Sequence, residues 1–551
     1  MVRPKIMAIN YYHIFPVNNG GKLAVRDFYM ALSEWFDVTL VCLVNDVRTA
    51  GTYKDEIKLN DYFSVVALDA PEEFFNLTKE LTLHYGSGSD LESILVLIRE
   101  GGTSSDLIER IRELSKGFSI IVSEHVYAYR LAKAVADGRT LVYRAHNVEY
   151  DFRLAVWNEH SPSKRIYDEV FALEKNCCME CDFVFAMTEE NAGRFHELYG
   201  VPKSKVCNIS AGYDAGGAKY VLPSERRSNT KDGNLFALYI SSDSLMAVEA
   251  ANEIIRVSDE FPNVTFTIAG SVGRKLSAGD LPPNVSILGL ITDDEKRRLL
   301  ETFDFALNPI TGGSGLNIKM LEYFASGLPV ICTEFGARGL SVTNNINCII
   351  TDISSLAESI SSFLCLDVVK KDSIALNAYD LYMKNYTWRT CAIKAVSQLQ
   401  AIMEIDFDTS EYAAANSPAM YERTELPPNI PDGDFYVYGA GDWGRKCIEF
   451  LAMSNRPPIA ILDSDPAKWG MCIGSVLVQN PTVFLENKGE YSVVFALNSF
   501  KEAIRSLLSH GLEPDRIFLA PYGICFFHLA SGNGNVPFYF DEVKIRTALG
   551  L

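Results

Sequence analysis

The stretch from Thr311 to Thr333, TGGSGLNIKMLEYFASGLPVICT, joins a glycine-rich turn, a helix and a short apolar strand. A chain with this junction is committed to an αβ unit in which a loop meets a helix N-terminus. Gly312, Gly313 and Gly315 let the backbone approach an anion closely, and the helix expected to begin near Leu316 turns unpaired N–H groups and a positive dipole end toward it. Phosphate is the natural guest. Lys319 and Glu322 are three positions apart and share a helix face, so a cation lies near the phosphates and a carboxylate one turn further along. A ribose diol suits that carboxylate. Gly327-Leu328-Pro329 then ends the helix, and Val330–Cys332 reads as a core strand.

The same alternation runs along most of the chain. Residues 5–10, 37–44, 63–68, 118–122 and 140–144 are short apolar runs separated by helical stretches, the pattern of a doubly wound parallel sheet. A Gly20-Gly21 turn precedes a first helix whose Leu23, Phe28, Met30, Ala31, Leu32 and Phe36 are expected to face the sheet. His146 and Asn147 follow a strand end. A second alternating series begins at Leu235 and contains the opening motif. Residues 406–432 are polar and proline-bearing, as a linker is. Beyond them FYVYGAGDWGRKCIEFL gives a strand, a GxGxxG turn of Gly439, Gly441 and Gly444, and a helix. Asp463 follows Gly439 by 24 positions, close to the spacing at which an acidic residue meets a ribose in dinucleotide-binding folds. The expected fold is therefore α/β, with two Rossmann-like domains, residues 1–212 and 233–405, and a smaller Rossmann-like domain at 433–551.

A chain of 551 residues is too long for one core. Its formal charge of −19 argues against a nucleic-acid partner, whose binding rests on a net basic surface. No run approaches the roughly eighteen apolar residues of a spanning helix, and the N-terminus runs into a strand without a signal-peptide pattern, so a cytoplasmic location is the default expectation. Peripheral membrane contact and homo-oligomerisation stay open. Twelve cysteines are scattered through the chain, many in apolar runs. Cys178 and Cys181 have CxxC spacing, but no second ligand pair accompanies them, so core packing is the expectation.

The order GxGxxxKxLEYxAxGxPVxxT resembles the donor-nucleotide motif of retaining glycosyltransferases of the GT-B fold, the glycogen-synthase-like group 1. That resemblance implies two facing Rossmann-like halves, a UDP- or GDP-sugar donor, no required metal, and a glycan, lipid-linked or protein acceptor in surface polysaccharide or glycoconjugate synthesis. It carries Lys319 and the N–H groups of Gly313, Ser314, Gly315, Leu316 and Asn317 onto the diphosphate, Glu322 onto the ribose, and His146 onto the sugar, with Gly20 and Gly21 on the opposite wall. It also implies that the helix from Trp388 to Met403 crosses back to the first domain. Two departures stand out. Ser314 occupies the place of a family carboxylate that contacts the donor sugar, and Ser241-Ser242-Asp243-Ser244 replaces a glycine followed by a basic residue, so that Lys319, Arg274 or Lys275 must carry more charge. The C-terminal module resembles small Rossmann-like domains appended to sugar-modifying and methyl-transferring enzymes, and NAD or a nucleotide is its open ligand. A degenerate nucleotide-sugar-binding scaffold and a bifunctional enzyme are the alternatives.

Overall fold

The computed structural model describes residues 3–17, 19–46, 49–85, 94, 97–98, 104–157, 164–214, 218–226, 234–276, 281–312 and 316–403. In the C-terminal module it describes 434–441, 444–445, 447–448, 451, 457–474, 476–483, 492–495 and 517–519. The linker expected at 406–432, and Gly313, Ser314 and Gly315, lie outside the described residues.

Three sheets organise the chain. The first contains β1 (Lys5–Asn10), β2 (Asp37–Val44), β3 (Glu56–Asn60), β4 (Phe63–Asp69), β5 (Ile120–Glu124), β6 (Thr140–Ala145), β7 (Phe183–Ala186) and β8 (Val206–Asn208). Its order is β3-β4-β2-β1-β5-β6-β7-β8, and β3 is an antiparallel edge strand on β4. The second holds β9 (Leu235–Ile240), β10 (Val264–Ala269), β11 (Val285–Gly289), β12 (Phe305–Asn308), β13 (Val330–Cys332) and β14 (Ile349–Ile350), in the order β11-β10-β9-β12-β13-β14. The third is built from β15 (Phe435–Tyr438), β16 (Ile461–Leu462), β17 (Cys472–Ile473), β18 (Val476–Gln479), β19 (Ser492–Phe495) and β20 (Ile517–Leu519), ordered β17-β18-β16-β15-β19-β20. Setting aside the antiparallel edge strands β3 and β17, each sheet begins with the doubly wound sequence 3-2-1-4-5. In this topology ligands bind beyond the carboxyl ends of the strands where the order reverses. In the second sheet that point lies between β9 and β12.

The central strands are continuous apolar runs because both their faces are covered. Ile6 to Ile9 and Val38 to Val44 are buried almost without interruption. The first helix, α1 (Gly20–Leu32), differs from expectation at its start: Gly20 and Gly21 form its first turn rather than a turn ahead of it, because Asn19 accepts the Lys22 N–H and caps the helix. Phe28, Leu32 and Phe36 are buried as expected, whereas Leu23, Met30 and Ala31 are half-buried. Ala24, Val25 and Tyr29 complete the inward face.

Two compact units divide the chain, Met1–Leu141 with Ala414–Leu551, and Val142–Ala413. Within the second lie α2 (Glu149–Val156), α3 (Lys164–Glu180), α4 (Glu189–Tyr199), α5 (Leu245–Ser258), α6 (Asp293–Thr302), α7 (Ile318–Ala325) and α8 (Trp388–Met403). The segment 211–232 reads from composition as an interdomain connection, yet part of it is fastened to the second sheet's helices. A short helix at Pro223–Arg226 buries the Arg226 guanidinium, which donates to the carbonyls of Val221, Leu300, Phe303 and Ser326. Gly212 lies so close to Trp388 that an added Cβ would meet its backbone N at 2.6 Å. Gln398 of α8 accepts from the Cys207 thiol of β8 at 3.3 Å. Cys177 and Cys181 pack as buried thiols with sulfurs 3.9 Å apart, and none of the described cysteines is in a disulfide.

Candidate functional site on the second sheet

Strands β9 and β12 end side by side, and the loops that leave them build the site. The 241–244 segment follows β9. Ser244 caps α5 by accepting the Ala247 N–H, Asp243 accepts from the Ser271 hydroxyl, and Ser241 accepts from the Lys319 ammonium at 2.7 Å. Gly270, just past β10, has φ +100°, and a Cβ there would fall 2.1 Å from the Ser241 carbonyl oxygen. Only glycine permits this approach. After β12, Gly312 lies against the first turn of α5, where a Cβ would meet Met246 Sδ at 2.8 Å.

Helix α7 begins at Ile318, two residues later than expected, with Asn317 as its cap residue. The Asn317 side chain does not cap it. Its amide donates instead to the Gly336 carbonyl at 2.9 Å, as Asn308 also does at 2.8 Å. That choice ties the loop to the 335–339 turn and leaves the first N–H groups of α7 without a side-chain acceptor among the described residues, the arrangement that suits an anion. Leu316 packs at Gly339, where an added Cβ would meet Leu316 Cδ1 at 2.9 Å and Thr188 Cγ2 at 2.8 Å. The Thr188 turn, which follows β7 and caps α4, therefore borders the same loop.

Lys319 is enclosed. Its ammonium lies 5.4 Å from the Tyr239 ring centre, and burial, with the Arg338 guanidinium nearby, lowers its pKa to about 8 despite the opposing pull of Glu322. Arg338 was not singled out in the sequence, because it lies nineteen positions after Lys319 on a 3-10 turn with no motif of its own. A cation in the first turn of a helix whose N-terminus lacks a side-chain cap suits a phosphate. Arg274 and Lys275, the sequence's candidates for extra charge, are exposed on the turn after β10.

Glu322 is largely buried and accepts from Lys296 of α6 at 3.0 Å. The carboxylate in turn raises the Lys296 pKa above its ordinary value. Lys296 was also missed, since a partner 26 positions away on another helix leaves no local signal.

His146 stands one residue past β6. Arg144 Nη1 lies 3.1 Å from His146 Nε2, and a guanidinium can only donate. Nε2 is therefore the acceptor, and a neutral ring carries its proton on Nδ1. His125, which follows β5, has φ +66° and pairs with the Tyr12 hydroxyl at 3.3 Å. His13 is buried against Tyr53, with rings 3.8 Å apart, and burial drives its pKa down to about 3. Gly20 and Gly21 are exposed at the start of α1 in the other unit.

In the third sheet Gly439 has φ +115°, and a Cβ on Gly444 would fall 1.6 Å from the Gly439 carbonyl oxygen. Gly441 faces open space. Asp463 braces this turn, accepting from the Ala440 N–H at 2.7 Å, the Asp465 N–H at 2.9 Å and Lys468 at 3.1 Å.

Residues 242–365 match the family model described as glycosyl transferases group 1. A curated relative, the uncharacterized 44.6 kDa protein in the cps region of Klebsiella pneumoniae, is 24% identical over 404 residues, covering 69% of this chain and 96% of its own length. Among solved structures, sucrose-phosphate synthase from Thermosynechococcus elongatus aligns with a TM-score of 0.52 at 13% identity, over 73% of this chain and 99% of its own. A UDP-forming trehalose-phosphate synthase from Burkholderia xenovorans aligns with a TM-score of 0.51 at 12% identity, over 73% and 99%. The trehalose-6-phosphate structure from E. coli bound with UDP-2-fluoro glucose gives 0.51 at 13%, over 72% and 99%. The matched family segment spans Lys319, Glu322 and Arg338, and the chain shares its overall fold with these synthases: residues 242–365 carry a group 1 glycosyl transferase domain on a fold of the GT-B type.

Proposed function

We propose that this chain transfers a sugar from a UDP- or GDP-sugar to a glycan, lipid-linked or protein acceptor with retention of anomeric configuration and without a metal ion. The observation that carries the reading is the Lys319 ammonium held by Ser241 in the first turn of α7, whose N-terminus has no side-chain cap, with Glu322 a turn away. In this scheme the donor's C1–O bond breaks toward the diphosphate and the acceptor oxygen bonds to C1 on the same face. The acceptor proton passes to a diphosphate oxygen. Lys319, Arg338 and the α7 N–H groups stabilise the charge that develops on the leaving diphosphate. Glu322 receives the ribose hydroxyls, and His146 lies near the sugar. The Klebsiella relative's place in a cps region supports a surface-polysaccharide setting, and the UDP-2-fluoro glucose bound to the E. coli structure supports a uridine donor. We assign residues 1–212 to the acceptor side, 233–405 to the donor side and 433–551 to an accessory module. Among the described residues no helix is long and apolar enough to cross a membrane.

The test is a panel of nucleotide sugars scored by thermal shift and by released nucleotide. Selective shift with release supports transfer, selective shift without release supports a binding scaffold, and no shift with any donor sinks the reading. Stoichiometry addresses the accessory module: an equivalent of NAD or UDP that still binds after Lys319→Met belongs to Gly439, Gly441, Gly444 and Asp463.

A pH dependence follows from Lys319. In the free protein its ammonium loses its proton as pH rises through about 8, whereas a bound diphosphate holds the proton on. UDP affinity is therefore expected to be flat below pH 7 to 7.5 and about tenfold weaker by pH 9, a slope absent from Lys319→Met. Calorimetric titration at the two pH values reads it directly.

A further inference from the structure

Helix α2 starts three residues after His146, and its cap residue, Val148, has no side chain with which to cap it. The missing acceptor comes from another helix. Glu174, fully buried in the middle of α3, accepts the backbone N–H of Glu149 at 2.8 Å through Oε1 and that of Tyr150 at 3.0 Å through Oε2. Each oxygen also accepts a phenol. Tyr143 of β6 donates to Oε1 at 3.1 Å, and Tyr199, the last residue of α4, donates to Oε2 at 2.6 Å. One carboxylate thus joins β6, α2, α3 and α4, and His146, Asn147 and Val148 are the whole connection between two of them. A buried ion–pair partner closes the same turn: Arg153 binds Glu149 with both side chains almost wholly buried.

We propose that Glu174 is a positioning residue for the transfer reaction: by capping α2 from α3 it fixes the His146 loop, and with it the imidazole that Arg144 orients. The inference rests on the reading of His146 as a sugar-contacting residue. Burial of so many donors around one acceptor group is costly to maintain for packing alone, since an apolar residue of similar volume, with a conventional Ser or Asp at position 148, gives the same capped helix. Carboxylate chemistry is specifically needed. An amide at 174 has one oxygen, so its NH2 must face the N–H of either Glu149 or Tyr150, and that donor cannot rotate away as a hydroxyl can.

Three variants in the full chain test this: Glu174→Gln, His146→Ala and the double variant. Two readouts are used, amide hydrogen exchange across residues 145–153 and UDP release from UDP-glucose. Exchange at 146–150 is expected to be at least tenfold faster in Glu174→Gln, independently of turnover. UDP release is expected to fall tenfold or more in kcat with donor KM within threefold, and to fall no more than threefold further in the double variant than in His146→Ala, because the two residues act in series. Unchanged exchange, or losses that multiply, overturns the proposal. If His146→Ala alone costs nothing, the role of His146 is what fails, and the exchange result still decides whether Glu174 holds the loop. Should Glu174→Gln not fold, Tyr199→Phe removes one donor and keeps the carboxylate. It is expected to speed exchange at 146–150 about threefold, and no change there overturns the proposal equally.

Discussion

Replacing Lys319 with methionine is expected to slow nucleotide release by two to three orders of magnitude while leaving the protein at least as stable as the wild type. The rate follows from the position of the charge. A preorganised donor aimed at an oxygen that gains charge in the transition state is worth about 10²- to 10³-fold in rate, and Lys319 is held by Ser241 in a partly enclosed site. The stability follows from the cost of keeping the charge there. Burial and the neighbouring Arg338 push the Lys319 pKa down to about 8, so its folded environment disfavours the ammonium. Methionine keeps the stem packed against Tyr239 and removes that cost. A site that is strained in the free protein and relieved by its ligand is the pattern expected of a binding residue rather than a structural one. Single-turnover release of nucleotide, with the urea midpoint measured alongside, checks both halves.

Arg226→Met is expected to do the opposite, costing about 3–5 kcal/mol of stability and disabling the donor site as a consequence. The Arg226 guanidinium is almost fully buried, and burial lowers its pKa only to about 10, so it stays charged at neutral pH. It holds the carbonyls of Leu300 and Phe303 at the end of α6 and of Ser326 at the end of α7. These two helices carry Lys296, Lys319 and Glu322. Methionine fills the stem's volume but removes the donor from the Val221, Leu300 and Phe303 carbonyls and leaves Ser326 with only the Val221 N–H. Urea unfolding followed by hydrogen exchange at 318–325 is expected to show α7 opening first, with UDP affinity lost in proportion.

Features carried by local pattern were legible in the sequence. Parallel strands covered on both faces must be apolar throughout, so Lys5–Asn10, Asp37–Val44 and Leu235–Ile240 are visible as runs. Helix α7 is visible because its apolar face and the Gly327 that follows it are local signals. The antiparallel edge strands were not visible: β3 reads EIKLN and alternates charge with apolar residues, and β17 is two residues long. The Gly20-Gly21 pair was misread because glycine signals a turn more often than a helix start, and only the Asn19 cap reveals which it is. Long-range partners leave no local trace. Lys296 on Glu322, and Glu174 on the Glu149 and Tyr150 N–H groups, each join residues on different elements. Ser241 looked like a loss of charge, whereas it is the oxygen that receives the Lys319 ammonium.

The most direct measurement is a calorimetric titration of UDP and of GDP into the full chain and into Glu322→Ala at pH 7. If Glu322 receives the ribose, one of the two nucleotides binds the wild type, and the variant binds it about 10- to 100-fold more weakly, the worth of one or two hydrogen bonds to a carboxylate. Equal affinity in the two proteins would place the nucleotide elsewhere and contradict the account of the second sheet as the donor site.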